Sequence, residues 1–158
     1  MKKVGLVFLV MGMLAGAAAQ QAYAQDKKVE FSLNLGAMSF YGEESFSAFG
    51  LTLSPQVDIR VAKGFMISPE FMFVTDTSFS GVIGLPGVMF NFVGKGFFAG
   101  AGVVLPVVLS GEMGVGELVP KINLGYRGAK ITLTVYTITT FNEIFQWGLV
   151  GASLGYRF

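Results

Sequence analysis

The chain has 158 residues, enough for one domain, with a formal charge of +1 and neither Cys nor His. The missing Cys excludes a disulfide framework, a cysteine metal site and a lipidated amino-terminal cysteine. The missing His removes the commonest general base and metal ligand, and the near-neutral charge gives no reason to expect a nucleic-acid partner.

The chain is 53% hydrophobic, with 22 Gly and 16 Phe, and its mean hydropathy is +0.62. That is too apolar for an ordinary soluble domain. Yet beyond the amino terminus no apolar run reaches the roughly 18–20 residues of a membrane helix. The longest candidate, Phe97 to Leu109, is interrupted by Gly100, Gly102 and Pro106. Apolar character without helical spans, in a chain rich in Gly, Phe and β-branched residues, points to strands and turns.

The first element is a targeting segment. Lys2 and Lys3 precede an apolar run from Val4 to Gly16, and Ala22-Tyr23-Ala24 is a small-x-small cleavage site. The expectation is a signal peptide over 1–24 and a mature domain over 25–158, with Ala17-Ala18-Ala19 as an earlier alternative site.

Eight segments of alternating character follow. Val29 to Tyr41 sets Val29, Phe31, Leu33 and Leu35 against Glu30, Ser32 and Asn34. Phe49 to Ala62 sets Leu51, Leu53, Val57 and Ile59 against Thr52, Ser54, Gln56, Asp58 and Arg60. Phe65 to Asp76 opposes Phe65, Ile67, Phe71 and Phe73 to Ser68 and Glu70. The fourth runs from about Leu85 to Val93. The fifth, Phe97 to Val108, is apolar or glycine on both faces, so its orientation is not readable. In the sixth, Leu118 to Tyr126, Ile122, Leu124 and Tyr126 oppose Lys121, Asn123 and Gly125. The seventh covers Lys130 to about Ile138. The eighth, Gln146 to Phe158, puts Val150, Ala152, Leu154, Tyr156 and Phe158 on one face and Gly151, Ser153, Gly155 and Arg157 on the other.

Connections after the even segments are tight and glycine-containing, and those after the odd ones are longer. This is the pattern of an up-and-down membrane barrel whose short turns face the periplasm. Charge sorts the same way. The longer connections and their edges hold Glu43, Glu44, Asp76, Glu112, Glu117 and Glu143 without a Lys or Arg, while Lys27, Lys28, Lys63, Lys95, Arg127 and Lys130 gather at the short-turn rim. Against the pattern, Pro55, Pro69 and Pro120 fall inside strands, where each removes a ladder donor and a closed barrel offers no free edge.

The ending Gly155-Tyr156-Arg157-Phe158 resembles the terminal signature of bacterial outer-membrane β-barrel proteins, whose assembly machinery reads a carboxy-terminal aromatic. Over the whole mature chain the sequence resembles the small eight-stranded barrels, porin-like or OmpA/OmpX-like. The resemblance implies an all-β, eight-stranded antiparallel up-and-down transmembrane β-barrel in the bacterial outer membrane. It implies lipid around the barrel and the barrel assembly machinery as a partner, met through Tyr156 and Phe158. Enzymes on such barrels, chiefly lipid A acylases and deacylases and outer-membrane proteases, rely on a histidine near the outer rim. This chain has none, so no catalytic residue carries over and neither an enzyme nor a cofactor is expected.

On the polar face Glu30, Asp58, Arg60, Glu70, Lys121 and Arg157 balance three acids against three bases. They read as a neutral ion-pair network filling the interior of a small barrel, which is just wide enough for side chains, in preference to a conducting or binding lumen. Glu30 and Arg157 become neighbours on closure and are expected to pair. The acidic loop rim is a candidate for divalent cations bridging lipopolysaccharide phosphates, and otherwise a solvated rim. The expected function is therefore a non-enzymatic integral barrel serving envelope structure or surface interaction. A narrow passive pore for small solutes is the alternative. A soluble, exported lipocalin-like barrel around an apolar ligand, with its faces inverted, is a third reading.

Overall fold

The computed structural model describes residues 29–41, 47–76, 81–110, 114–140 and 148–158; the expected signal peptide lies outside them. The strands are β1 (Val29–Tyr41), β2 (Ser47–Ala62), β3 (Phe65–Asp76), β4 (Val82–Gly94), β5 (Phe97–Val104), β6 (Val107–Val108), β7 (Gly114–Val115), β8 (Val119–Arg127), β9 (Ile131–Thr139) and β10 (Gly148–Arg157). Eight of them are long. Each pairs antiparallel with its neighbours in the chain, β1 pairs with β10, and the wall closes.

Closure has a measurable stagger. From Ser39 the ladder passes through Val150, Thr137, Ile122, Ala101, Phe90, Ile67 and Ile59 and returns to β1 at Val29, ten residues from its start. With strands about 4.8 Å apart and a rise of about 3.3 Å per residue, that stagger over eight strands means a tilt of about 40°. Strands so tilted need about 9–11 residues to cross a bilayer, and the long strands supply 8 to 16.

The strand assignments follow the alternation. β1 and β3 match their expected limits, and β4 starts earlier, at Val82. The fifth segment is one strand interrupted: the β4 register runs unbroken from Gly87↔Val104 to Gly84↔Val107, across a place where Pro86 and Pro106 have no N–H to give. Leu105 N–H still reaches Pro86 O at 2.9 Å. β6 and β7 extend the hairpin beyond the wall.

The other prolines sit in ladder gaps. The β2–β3 register goes from Leu53↔Phe73 to Gln56↔Glu70 and then to Ile59↔Ile67, and the skipped residues include Pro55 and Pro69. Pro120 lies one residue before the β8–β9 ladder begins at Lys121.

At the short-turn rim the chain reverses through Lys63–Gly64, Lys95–Gly96 and Gly128–Lys130. Lys95 and Gly96 both have positive φ, 51° and 87°, the backbone that a two-residue hairpin turn with the twist of its strands requires.

The two faces of the wall are the reverse of a soluble barrel's. Outward residues are apolar and exposed, with Leu35, Leu124, Leu133 and Leu154 each more than half accessible. Ser32, Asn34, Thr52, Ser54, Asp58, Ser68, Glu70, Asn91, Lys121 and Asn123 are buried inside. An apolar exterior over a polar interior is stable only where lipid covers the exterior. That overturns the lipocalin-like alternative, which requires the opposite arrangement.

Candidate functional site

The lumen is built from the inward side chains of alternate positions and is organised in layers. The layer nearest the short turns is charged. Arg127, the last residue of β8, donates from Nη1 to Asp58 Oδ2 at 2.7 Å and from Nη2 to Glu30 Oε2. Arg157, the last residue of β10, donates from Nη1 to the same Glu30 oxygen at 2.8 Å. Its Nη2 donates to the carbonyls of Gly128 and Ala129 in the last short turn. Gln56 Nε2 donates to the other Asp58 oxygen at 2.6 Å. Two carboxylates and two guanidinium groups thus cancel, and their side chains are no more than 11% exposed.

One layer up, Lys121 Nζ lies 2.5 Å from Glu70 Oε1, both side chains nearly inaccessible. The same ammonium stands 4.7 Å from the Tyr136 ring centre, where a cation gains from the ring quadrupole. Asn34 donates to Ser54 O at 3.1 Å, and Asn91 donates to Ser68 Oγ at 3.1 Å.

Of the six lumen charges expected from the sequence, the structure brings five together: Glu30 with Arg157, Glu70 with Lys121, and Asp58 beside Glu30 through a shared arginine. Arg60 is a correction. It is exposed at the short-turn rim, where the β2–β3 register slips between Arg60 and Ala62, and it contributes to the surface there. Arg127 takes its place in the network. Its inward turn follows from parity with Lys121, Asn123 and Gly125. Extending the sixth alternating segment by one residue would have found it; assigning Arg127 to the turn hid it.

Lumen glycines receive neighbouring side chains. A Cβ on Gly125 would strike the Phe98 ring, one on Gly151 the Tyr136 ring, and one on Gly155 the Asn34 amide. These glycines therefore close the polar part of the interior. What remains there is a cavity of about 20 Å³ among Asn34, Ser54, Gln56, Asp58 and Lys121, room for about one water molecule.

On the outside, rings gather near the short-turn rim. Phe158 lies 5.2 Å from Tyr156 and 5.6 Å from Phe31, Phe97 lies 5.3 Å from Tyr126, and Phe65 lies 5.4 Å from Phe92. Aromatic rings with amphipathic or quadrupolar faces favour the membrane–water boundary, and girdles of them flank the apolar band of membrane barrels. The fold is that of an outer-membrane β-barrel.

Solved structures agree. Neisserial surface protein A matches over 82% of this chain and 95% of its own, at 12% identity and a TM-score of 0.50. The N-terminal β-barrel domain of Pseudomonas aeruginosa OprF matches over 84% and 99%, at 10% identity and a TM-score of 0.51. At these identities the likeness is one of fold. No family model matches the sequence, and no curated protein does.

The acidic loop rim falls largely outside the described residues, since Glu43, Glu44, Glu112 and Glu143 belong to the connections. Among the described residues no group of three or more acidic side chains is placed to hold a metal ion.

Proposed function

We propose that this chain is a non-enzymatic integral protein of a bacterial outer membrane, serving envelope structure or surface interaction through a rigid barrel with a packed, charge-neutral lumen. The observation that carries the proposal is the pairing of an apolar exterior with an ion-paired part of the lumen, from Glu30 to Lys121, that is closed down to about 20 Å³. Buried charges in such a core must be paired to be tolerated at all, and pairing across strands far apart in sequence locks the closed form.

Export through the 1–24 segment and delivery to the barrel assembly machinery through Tyr156 and Phe158 belong to the same reading. Phe158 N–H bonds to Phe31 O at 3.0 Å, so the last residue helps close the seam between the first and last strands. Divalent cations at the acidic loop rim complete the proposal. They would show as a stability gain with magnesium or calcium that chelation reverses.

The experiment is gel mobility of the outer-membrane fraction, boiled against unboiled. A faster unboiled band is expected, because a closed barrel exposes no edge for detergent to open. Planar-bilayer recording on the same protein is expected to show no discrete channel steps. Regular steps would replace the packed lumen by the narrow pore, and a protein found only in soluble fractions would sink the membrane reading.

A further inference from the structure

The bulge near the end of β2 leaves an arginine outside the ion-paired lumen. By parity with Asp58, Arg60 would point inward. The β2–β3 register slips between Arg60 and Ala62, and bulges re-aim side chains in this way. Arg60 is exposed, and so is Lys63 in the turn that follows. The two flank a cleft of about 420 Å³, completed by Gly64, Phe65, Met66 and Val93. No acidic side chain lines the cleft, and neither cation has a carboxylate partner among the described residues. Glu30 and Asp58 are taken up by Arg127 and Arg157 inside the wall. A third exposed cation, Lys95, stands two residues beyond Val93, whose N–H bonds to Gly64 O at 2.9 Å and ties the two short turns together.

A guanidinium and an ammonium left unpaired beside one cleft fit an anion with several oxygens. The arginine supplies a two-pronged donor and the lysine a point charge. The wall continues from this cleft as an aromatic surface. Phe65 lies 5.4 Å from Phe92 and 6.5 Å from Phe90, and Phe92 and Phe90 are 69% and 44% exposed on the outer face. Rings in such a girdle mark the boundary between hydrocarbon and head groups, so the cleft lies at the level of lipid phosphates.

Together these features select an occupant with an anionic head and an apolar body. A free phosphate would leave the rings unused. A zwitterionic head brings its own ammonium, which the cations of the cleft repel. Basic residues at a membrane surface favour anionic lipid for the same reason.

We propose that Arg60 and Lys63 bind the phosphate of an anionic glycerophospholipid in the periplasmic leaflet, its acyl chains lying on Phe65, Phe90 and Phe92. This rests on the membrane-barrel reading above, which places the short turns at the periplasmic face.

The test uses the full mature chain in phosphatidylcholine nanodiscs that contain a minority of phosphatidylglycerol. Native mass spectrometry then identifies the lipid retained on the released barrel. Phosphatidylglycerol is expected to be enriched about tenfold over its share of the disc, the scale of one or two basic residues at a membrane surface. Arg60→Gln with Lys63→Gln should return it to that share while keeping the fast unboiled gel band. Should that pair of changes cost the fast band, Lys63→Gln alone, in an exposed turn, reads the same loss. Lys130→Gln removes a cation of the same rim that reaches the Tyr156 hydroxyl instead, and should leave the enrichment intact. The water-soluble head group glycerophosphoglycerol should not displace the lipid. Retention at the bulk share overturns the proposal in favour of a soluble acidic partner. An equal loss with Lys130→Gln overturns it in favour of a diffuse field around the rim, and displacement by glycerophosphoglycerol in favour of a site for free phosphate esters. Loss of the fast band in unmodified protein would overturn the membrane reading itself, and the lipid site with it.

Discussion

Arg127 decides how firmly the charged layer holds. It bridges Glu30 and Asp58, so Arg127→Ala leaves Asp58 with Gln56 and Glu30 with Arg157. Removing one partner from a buried pair costs about 3–5 kcal/mol, mostly the penalty of the stranded charge. Arg157→Ala is expected to cost less, because Glu30 keeps Arg127 and the Gly128 and Ala129 carbonyls lie where water can reach the rim. Urea unfolding in micelles should rank the two in that order, and equal losses would mean the bridge is not the support. The Glu70–Lys121 pair gives a sharper contrast. Lys121→Met alone strands a carboxylate, whereas Lys121→Met with Glu70→Leu removes both charges and should recover most of the loss, since apolar replacement of a whole buried pair is often neutral. A double mutant no better than the single would show that the pair does more than satisfy itself.

Strand β5 shows where an element's identity lies when its sequence carries no alternation. Gly100 and Gly102 face inward because large neighbours occupy the space: a Cβ on Gly102 would sit against the Val88 carbonyl and 2.8 Å from Met89 Cα. Gly102→Ala is therefore expected to destabilise by about 1–3 kcal/mol, the usual cost of overpacking. Gly94→Ala, with nothing within 4 Å, should unfold with the parent in the same urea series. A tolerated Gly102→Ala would mean the β4–β5 seam can shift. The same strand marks the limit of reading the chain without its fold. Where one face was polar, as in β1, β2, β8 and β10, alternation gave both the strand and its orientation. In β5 inward glycines and outward alanines look alike, and only the side chains across the seam tell them apart. The prolines were legible as a conflict and illegible as a solution, because the ladder gaps that receive Pro55 and Pro69 exist only once β2 and β3 are in register. The lumen followed the same rule: inward parity named five of its charges, while Arg60 and Arg127 at strand ends depended on where the wall stops.

For the molecule as a whole, orientation unites the remaining observations. Exposed Arg60, the Lys63 and Lys95 turns, the aromatic girdle and the neutral ion-pair layer all lie toward the short turns. The apolar cavity lined by Met38, Leu85 and Ile138, and exposed Asp76, lie at the other end. Short turns face the periplasm in barrels of this kind, so the cationic rim should be inside and the acidic rim outside. The chain has no cysteine, which makes the test direct. Ser110→Cys, exposed beyond β6, should react with a membrane-impermeant maleimide on intact cells. Lys95→Cys, in the β4–β5 turn, should react only after the outer membrane is permeabilised. The reverse labelling would put the Asp76 end of the barrel in the periplasm and the basic rim outside.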